Sequence, residues 1–256
     1  MPMNLSVCID AVLEGVPLET ALQTVADCGY SAVEFWKWWE KDLDHLVELR
    51  NHHQLQIAAC CTRFVSLVDP ACREDYLEGL AESVAVARRL NCPTLISQVG
   101  DACPALSREE QHASLVTGLR EAAAILQDSG VVLGIEPLND TVDHQGYYLV
   151  RSDEAFAIID EVDSPNVKVT FDLYHQQISE GDLTATLRQH IDKIAHFHAA
   201  GCPGRHELDD GELSYPWLFE AIRKTGYAGY IGLEYWPERS AEAGLRTVRH
   251  WLPAAD

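Results

Sequence analysis

Eight times along the 256 residues, a short run rich in Val, Ile and Leu gives way to a longer stretch whose apolar residues recur at helical spacing, and this alternation constrains the fold more tightly than any other feature. The strand-like runs are Leu5 to Asp10, Ala32 to Trp36, Gln56 to Cys61, Thr94 to Gly100, Val131 to Asn139, Val167 to His175, Ile194 to Gly201 and Tyr230 to Trp236. Helical spacing fills 17–28, 41–53, 73–90, 107–129, 152–161, 179–190, 215–225 and 239–252. Ser107 and Ser152 are candidate N-caps, and Gly29, Gly130 and Gly226 stand where a left-handed C-terminal residue is wanted. Strict alternation calls for parallel strands joined by helical crossovers, and eight such units in about 250 residues match a closed (β/α)8 barrel. A doubly wound open sheet is the alternative. It lacks its usual support, because the first strand leads into Asp10-Ala11-Val12-Leu13-Glu14-Gly15, with neither a Gly-x-Gly-x-x-Gly nor a Walker-type loop. No linker, low-complexity segment or charge block divides the chain, so residues 1–256 are expected to form one barrel domain.

Charge narrows the partners. Nineteen Lys and Arg against forty Asp and Glu give a net charge of −21, which repels both a phosphate backbone and an anionic membrane. Nucleic acid and lipid are therefore disfavoured, a small-molecule substrate is expected, and a homo-oligomer is left open. The start, Met1-Pro2-Met3-Asn4-Leu5-Ser6, lacks the basic region and apolar stretch of a secretory signal, and no apolar run reaches the roughly 18 residues that cross a bilayer, so a cytoplasmic location is expected. The eight cysteines are scattered without any Cys-x-x-Cys, and several lie inside apolar runs, where a free thiol acts as a small hydrophobe.

In barrels of this kind the active site lies at the C-terminal ends of the strands. The polar residues ending the later runs are Glu136, Asp172, His198 and Glu234, separated by 36, 26 and 36 positions, each consistent with one strand-helix unit. Gly134 and Glu136, and likewise Gly232 and Glu234, share a face in a repeated Gly-x-Glu pattern, as though the glycines leave room for both carboxylates to bend toward a central object. Three acids and one histidine in one cavity would repel one another and lose solvation unless a cation joins them. Oxygen-rich donors favour Mg2+ or Mn2+, with Zn2+ and Co2+ as alternatives. A single acid at a strand end is more often a solvated loop carboxylate or a helix cap; the four together carry the metal reading. His196, two residues before His198, suits a hydrogen-bonded core position.

The segments Ile135-Glu136-Pro137-Leu138-Asn139, Phe171-Asp172-Leu173-Tyr174-His175-Gln176-Gln177 and His196-Phe197-His198 carry a wider likeness, together with Gly201, Gly204-Arg205-His206-Glu207 and Gly211-Glu212-Leu213-Ser214-Tyr215-Pro216. Over essentially the whole chain the sequence resembles the hydroxypyruvate isomerase family, a branch of the xylose-isomerase-like TIM barrels that also includes ketose 3-epimerases and, more distantly, endonuclease IV. The resemblance implies a metal held by Glu136, Asp172, His198 and Glu234, with Glu136 and Glu234 also moving protons. Val142 stands where the epimerases usually place a further glutamate, His198 stands where some hydroxypyruvate isomerases have glutamine, and the segment Asp140 to Tyr148 differs from the forms associated with that activity.

The implied reaction is the conversion of hydroxypyruvate to tartronate semialdehyde, in which a proton leaves C3 and arrives at C2 through an enediolate, with no redox cofactor. A ketose 3-epimerase is the alternative on the same site. An endonuclease IV-like phosphodiesterase is more distant, since the charge opposes it and the additional His and Glu ligands of a three-metal cluster are missing. Candidates for substrate contact are His175, just past the aspartate, Arg205 and His206 in the long loop near 200–214, and Trp36 after the second strand. Arg205 suits a carboxylate through its planar fork. Each has a plainer alternative: a backbone-bonded loop histidine, an arginine paired with Glu207 or Asp209, and aromatic residues Trp36, Trp38 and Trp39 covering a loop or a subunit contact.

Overall fold

The computed structural model describes residues 3–252. Its strands are β1 (Asn4–Cys8), β2 (Ala32–Phe35), β3 (Gln56–Cys61), β4 (Thr94–Ser97), β5 (Val132–Ile135), β6 (Val167–Asp172), β7 (Ile194–Ala199) and β8 (Tyr230–Leu233). They pair in sequence order, every pair is parallel, and β8 closes on β1. The α-helices are α1 (Ile9–Val12), α2 (Leu18–Asp27), α3 (Leu43–His52), α4 (Arg73–Leu90), α5 (Arg108–Leu126), α6 (Ser152–Val162), α7 (Leu173–Ser179), α8 (Leu183–His190), α9 (Tyr215–Lys224) and α10 (Ala241–His250). The closed (β/α)8 barrel expected from the alternation is the fold. No helix among the described residues is long and apolar enough to cross a membrane.

Alternation of side chains along each strand sorts the barrel into two environments. Val7, Val33, Leu95, Leu133, Phe171, Phe197 and Leu233 join the helices in one continuous apolar core around the barrel. The interior is different. There, among the described residues, Ala59, Cys61 and Ile96 form a small apolar cluster, touched by Trp36, whereas Ser6, Glu34, Thr170, His196 and His198 are buried polar groups. Burying so many polar side chains costs stability unless each finds a partner, so this interior is specified by something other than packing alone.

Several local features follow the sequence. Ser107 closes a capping box on α5: its hydroxyl accepts from the Glu110 N–H at 3.2 Å while the Glu110 carboxylate accepts from the Ser107 N–H at 2.8 Å. Gly29, Gly130 and Gly226 all take positive φ, between 76° and 82°. Ser152 is not a cap, because the cap position is Arg151 and the Ser152 hydroxyl donates instead to Glu180. Apart from β3, which matches its run, the strands are shorter than the apolar runs. The most consequential case is the sixth, where β6 ends at Asp172 and α7 begins at once, so His175 is helical and the helical stretch expected over 179–190 divides between α7 and α8. Asp172 makes that break itself: its Oδ1 accepts from the N–H groups of Tyr174 at 2.7 Å and His175 at 3.1 Å. All eight cysteines are free thiols.

Candidate active site

Four strand ends deliver Glu136, Asp172, His198 and Glu234 to one point, with a donor atom from each lying within 4.8 Å of the others and all four side chains buried. Register explains part of the convergence, since Asp172 stands beside His198 on neighbouring strands and His198 stands beside Gly232, two residues before Glu234. His198 Nδ1 is 2.7 Å from Glu136 Oε1 and 3.7 Å from Glu234 Oε2. Both oxygens of Glu234 are engaged: Oε1 accepts from the Trp36 indole at 2.6 Å and Oε2 from Arg205 Nη2 at 2.5 Å. Asp172 is both a helix cap and a member of the cluster. Its Oδ1 holds the start of α7, while its Oδ2 is buried without a hydrogen-bond partner. A buried oxygen left bare costs on the order of 1–3 kcal/mol, so Oδ2 has the character of a ligand atom. Three carboxylates and one imidazole with such an atom among them fit a divalent cation with hard or borderline preferences.

The chain's own charges set the ionisation of the cluster. Burial raises Asp172 from the usual 3.8 to about 7, with Glu234 and Glu136 adding to the rise while Arg205 and His198 oppose it. Burial pushes Glu234 upward too, yet the positive charges of His198 and Arg205 and the Trp36 N–H bring it below the ordinary carboxylate value. His198 is drawn down by burial but lifted well above the ordinary imidazole value by Glu234 and Glu136.

Beside the cluster opens a cavity of about 520 Å3. Glu136 and Glu234 line it, with Trp36, Phe64, Gln98, Asp101, His144, Tyr147, Arg205 and Trp236 around them. Trp36 and Arg205 therefore lie at the site, as the sequence suggests. Arg205 pairs with Glu234 rather than with Glu207 or Asp209, and its guanidinium sits over the rings of Trp236 and Tyr174 at 4.9 and 5.5 Å. The loop that carries it is folded on itself, with Arg205 N–H donating to the Gly201 carbonyl and Glu212 N–H to the Cys202 carbonyl, which fixes Arg205 at a left-handed φ of 60°.

Two expected substrate contacts lie elsewhere. His206 turns away from the cavity, with Nδ1 at 2.8 Å from the Trp236 carbonyl and Nε2 at 3.4 Å from Glu238. His175 is fully buried behind Asp172, because its position in the first turn of α7 points it inward; its Nδ1 accepts from the Asn139 N–H at 3.2 Å. Trp38 donates to Ser83 on α4, and Trp39 packs edge-on against Phe64, so of the three tryptophans only Trp36 reaches the cluster.

Glu34 is a buried group that the strand-end reading passes over. It sits inside β2 with Oε2 accepting from the Ser6 hydroxyl at 2.6 Å, Oε2 also 2.9 Å from His196 Nε2, and Oε1 3.0 Å from His198 Nε2. The available signal was a lone acid in the run Ala32 to Trp36, on the face shared with both of those residues. Glu34 also corrects the reading of the Gly-x-Glu pattern. A Cβ at Gly232 would lie 2.1 Å from Glu34 Oε1, and one at Gly134 would lie 2.3 Å from Thr170 Oγ1. The glycines thus make room for interior neighbours, rather than for Glu136 and Glu234 to bend.

The chain belongs to the xylose isomerase-like TIM barrels, the family whose model matches residues 22–255. Among its relatives is the hydroxypyruvate isomerase of Escherichia coli strain K12, 34% identical over 233 residues that cover 88% of this chain and 90% of that protein. The 2-oxo-tetronate isomerase of Cupriavidus necator is 45% identical over 145 residues, which cover 57% of this chain and 55% of that one. Among solved structures, an AP endonuclease, family 2, from Brucella melitensis superposes with a TM-score of 0.93 at 28% identity, covering 99% of this chain and 100% of that one. The chain is an enzyme of the isomerase class.

Proposed function

We propose that the protein isomerises a small 2-keto acid, hydroxypyruvate to tartronate semialdehyde, at a divalent metal held by Glu136, Asp172, His198 and Glu234. The observation that carries the reading is the convergence of those four buried side chains beside a cavity lined by two of them. When bound, the cation supplies Lewis acidity that makes hydrogen next to a carbonyl labile. Mg2+ or Mn2+ suits the oxygen-rich set best.

The chain's residues do the rest. One of the two cavity-lining glutamates takes the proton from C3 and the other returns a proton to C2, while a proton passes from the C3 hydroxyl to the C2 oxygen; C3 becomes the aldehyde and C2 the alcohol carbon, so no electrons leave the substrate. Trp36 and Arg205 hold the Glu234 carboxylate by both oxygens, which fixes its direction relative to the cavity. Arg205 also brings a permanent positive charge to the cavity wall, where it favours a substrate carboxylate. The net charge of −21 disfavours a nucleic-acid surface, and the positive charge of Arg205 is what the cavity offers an anion.

The likeness to a 2-oxo-tetronate isomerase favours a second substrate of the same class, one with a longer hydroxylated chain. Product analysis after incubation of metal-loaded protein with hydroxypyruvate, 2-oxo-tetronate and neutral ketoses separates these readings from each other and from 3-epimerisation. Turnover of a keto acid with no ketose epimer formed is the expected result. Turnover confined to neutral ketoses contradicts the proposal.

A further inference from the structure

We infer that Glu34 is a positioning residue for the metal site: it accepts the Nε2 proton of His198 and so commits Nδ1, the nitrogen facing Glu136 and Glu234, to the cation. The inference rests on the metal reading above and adds to it a residue outside the ligand set. A neutral imidazole binds a metal through one nitrogen and carries its proton on the other, so whatever accepts that proton decides which nitrogen is the ligand. Glu34 Oε1 and His198 Nε2 are 3.0 Å apart and both are buried; the contact is off the angle of a hydrogen bond, yet no other group bonds to either atom. They are each other's natural partner.

The surroundings are shaped to keep the carboxylate there. Ser6 donates to Oε2, and His196 Nε2 approaches the same oxygen at 2.9 Å, so Oε1 is left for His198. The Gly232 backbone leaves space that a Cβ would fill, 2.1 Å from Oε1. An anionic acceptor behind the ring also makes Nδ1 a stronger donor to the metal, as carboxylates behind metal-bound histidines do generally. Glu34, His196 and His198 also lie close enough together to hold a cation of their own. A cation in that group would appear as a second Mn2+ per chain, which separates it from a shared proton.

The test uses the full chain, with Mn2+ titrated by the loss of its free-ion EPR signal and the histidine ring nitrogens read by 15N NMR in the Mg2+-loaded protein. In the wild type one Mn2+ binds per chain, and His198 carries its proton on Nε2. In Glu34→Gln, which keeps the side-chain volume, Mn2+ affinity falls by about tenfold or more, the usual cost of losing such a carboxylate, while a cooperative urea transition is retained. A protonated Nδ1 in the wild type overturns the inference without reference to any variant. So does unchanged Mn2+ affinity in folded Glu34→Gln, or a second Mn2+ that this variant loses. A wild type that takes up no Mn2+ removes the metal reading itself, and the inference with it.

Discussion

Replacing Asp172 with Asn should stabilise the metal-stripped protein and weaken metal binding. Asn caps a helix as well as Asp does, so the hydrogen bonds from the Tyr174 and His175 N–H groups survive. What changes is the charge at the buried Oδ2. The Asp172 carboxyl is raised from 3.8 to about 7, so the stability associated with its protonated form is present below its ordinary range and is lost as the pH climbs toward 7. At 1.36 kcal/mol per pH unit, the ionised form is disfavoured by at most about 4 kcal/mol at pH 8 and by about 2 kcal/mol at pH 5.5. Urea unfolding of EDTA-treated wild type and Asp172→Asn at both pH values reads this directly. The variant should be the more stable, with a gain larger at pH 8, and Mn2+ should restore stability to the wild type far more than to the variant. A variant less stable than wild type at pH 8, or a gain that does not depend on pH, refutes the reasoning.

Glu136→Gln and Glu234→Gln should each lower turnover by about 10² or more while keeping the fold, checked by steady-state kinetics and urea unfolding. Gly232→Ala should cost about 1–3 kcal/mol in urea unfolding, because its Cβ would meet the Glu34 carboxylate at 2.1 Å and the strand backbone cannot yield freely. Arg205→Lys should lower kcat/KM for hydroxypyruvate by an amount equivalent to about 1.5–3 kcal/mol, and Arg205→Ala further, with a smaller loss on any neutral ketose. Equal losses on both substrate classes would mean that Arg205 acts only by holding Glu234.

The barrel was legible because alternation of strand and helix is written in periodicity, and periodicity survives in a single sequence. The four cluster residues were legible for a related reason: strand ends recur at the spacing of the repeating unit, so four polar ends fall on neighbouring strands. Strand boundaries were less so. The run from Val167 to Leu173 alternates apolar residues with Lys168, Thr170 and Asp172, a strand pattern without a break, and nothing in it shows that Asp172 starts a helix by accepting two backbone N–H groups. His175 and His206 were misplaced for that kind of reason, since a loop or first-turn side chain takes its direction from backbone dihedrals that composition does not encode. Glu34 escaped because a lone acid in a strand reads as solvent-facing until the ring of strands closes and encloses it with Ser6, His196 and His198.

The most direct test of the proposed chemistry is 1H NMR of hydroxypyruvate in D2O with Mg2+-loaded protein, run beside an EDTA-treated sample and the two glutamate-to-glutamine variants. The account predicts that deuterium enters at the carbon beside the carbonyl and at C2 of the product only with the loaded wild type, and falls by about 10² or more in both variants while they still hold the metal. Exchange that persists after metal removal, or that either variant sustains at the wild-type rate, would contradict it.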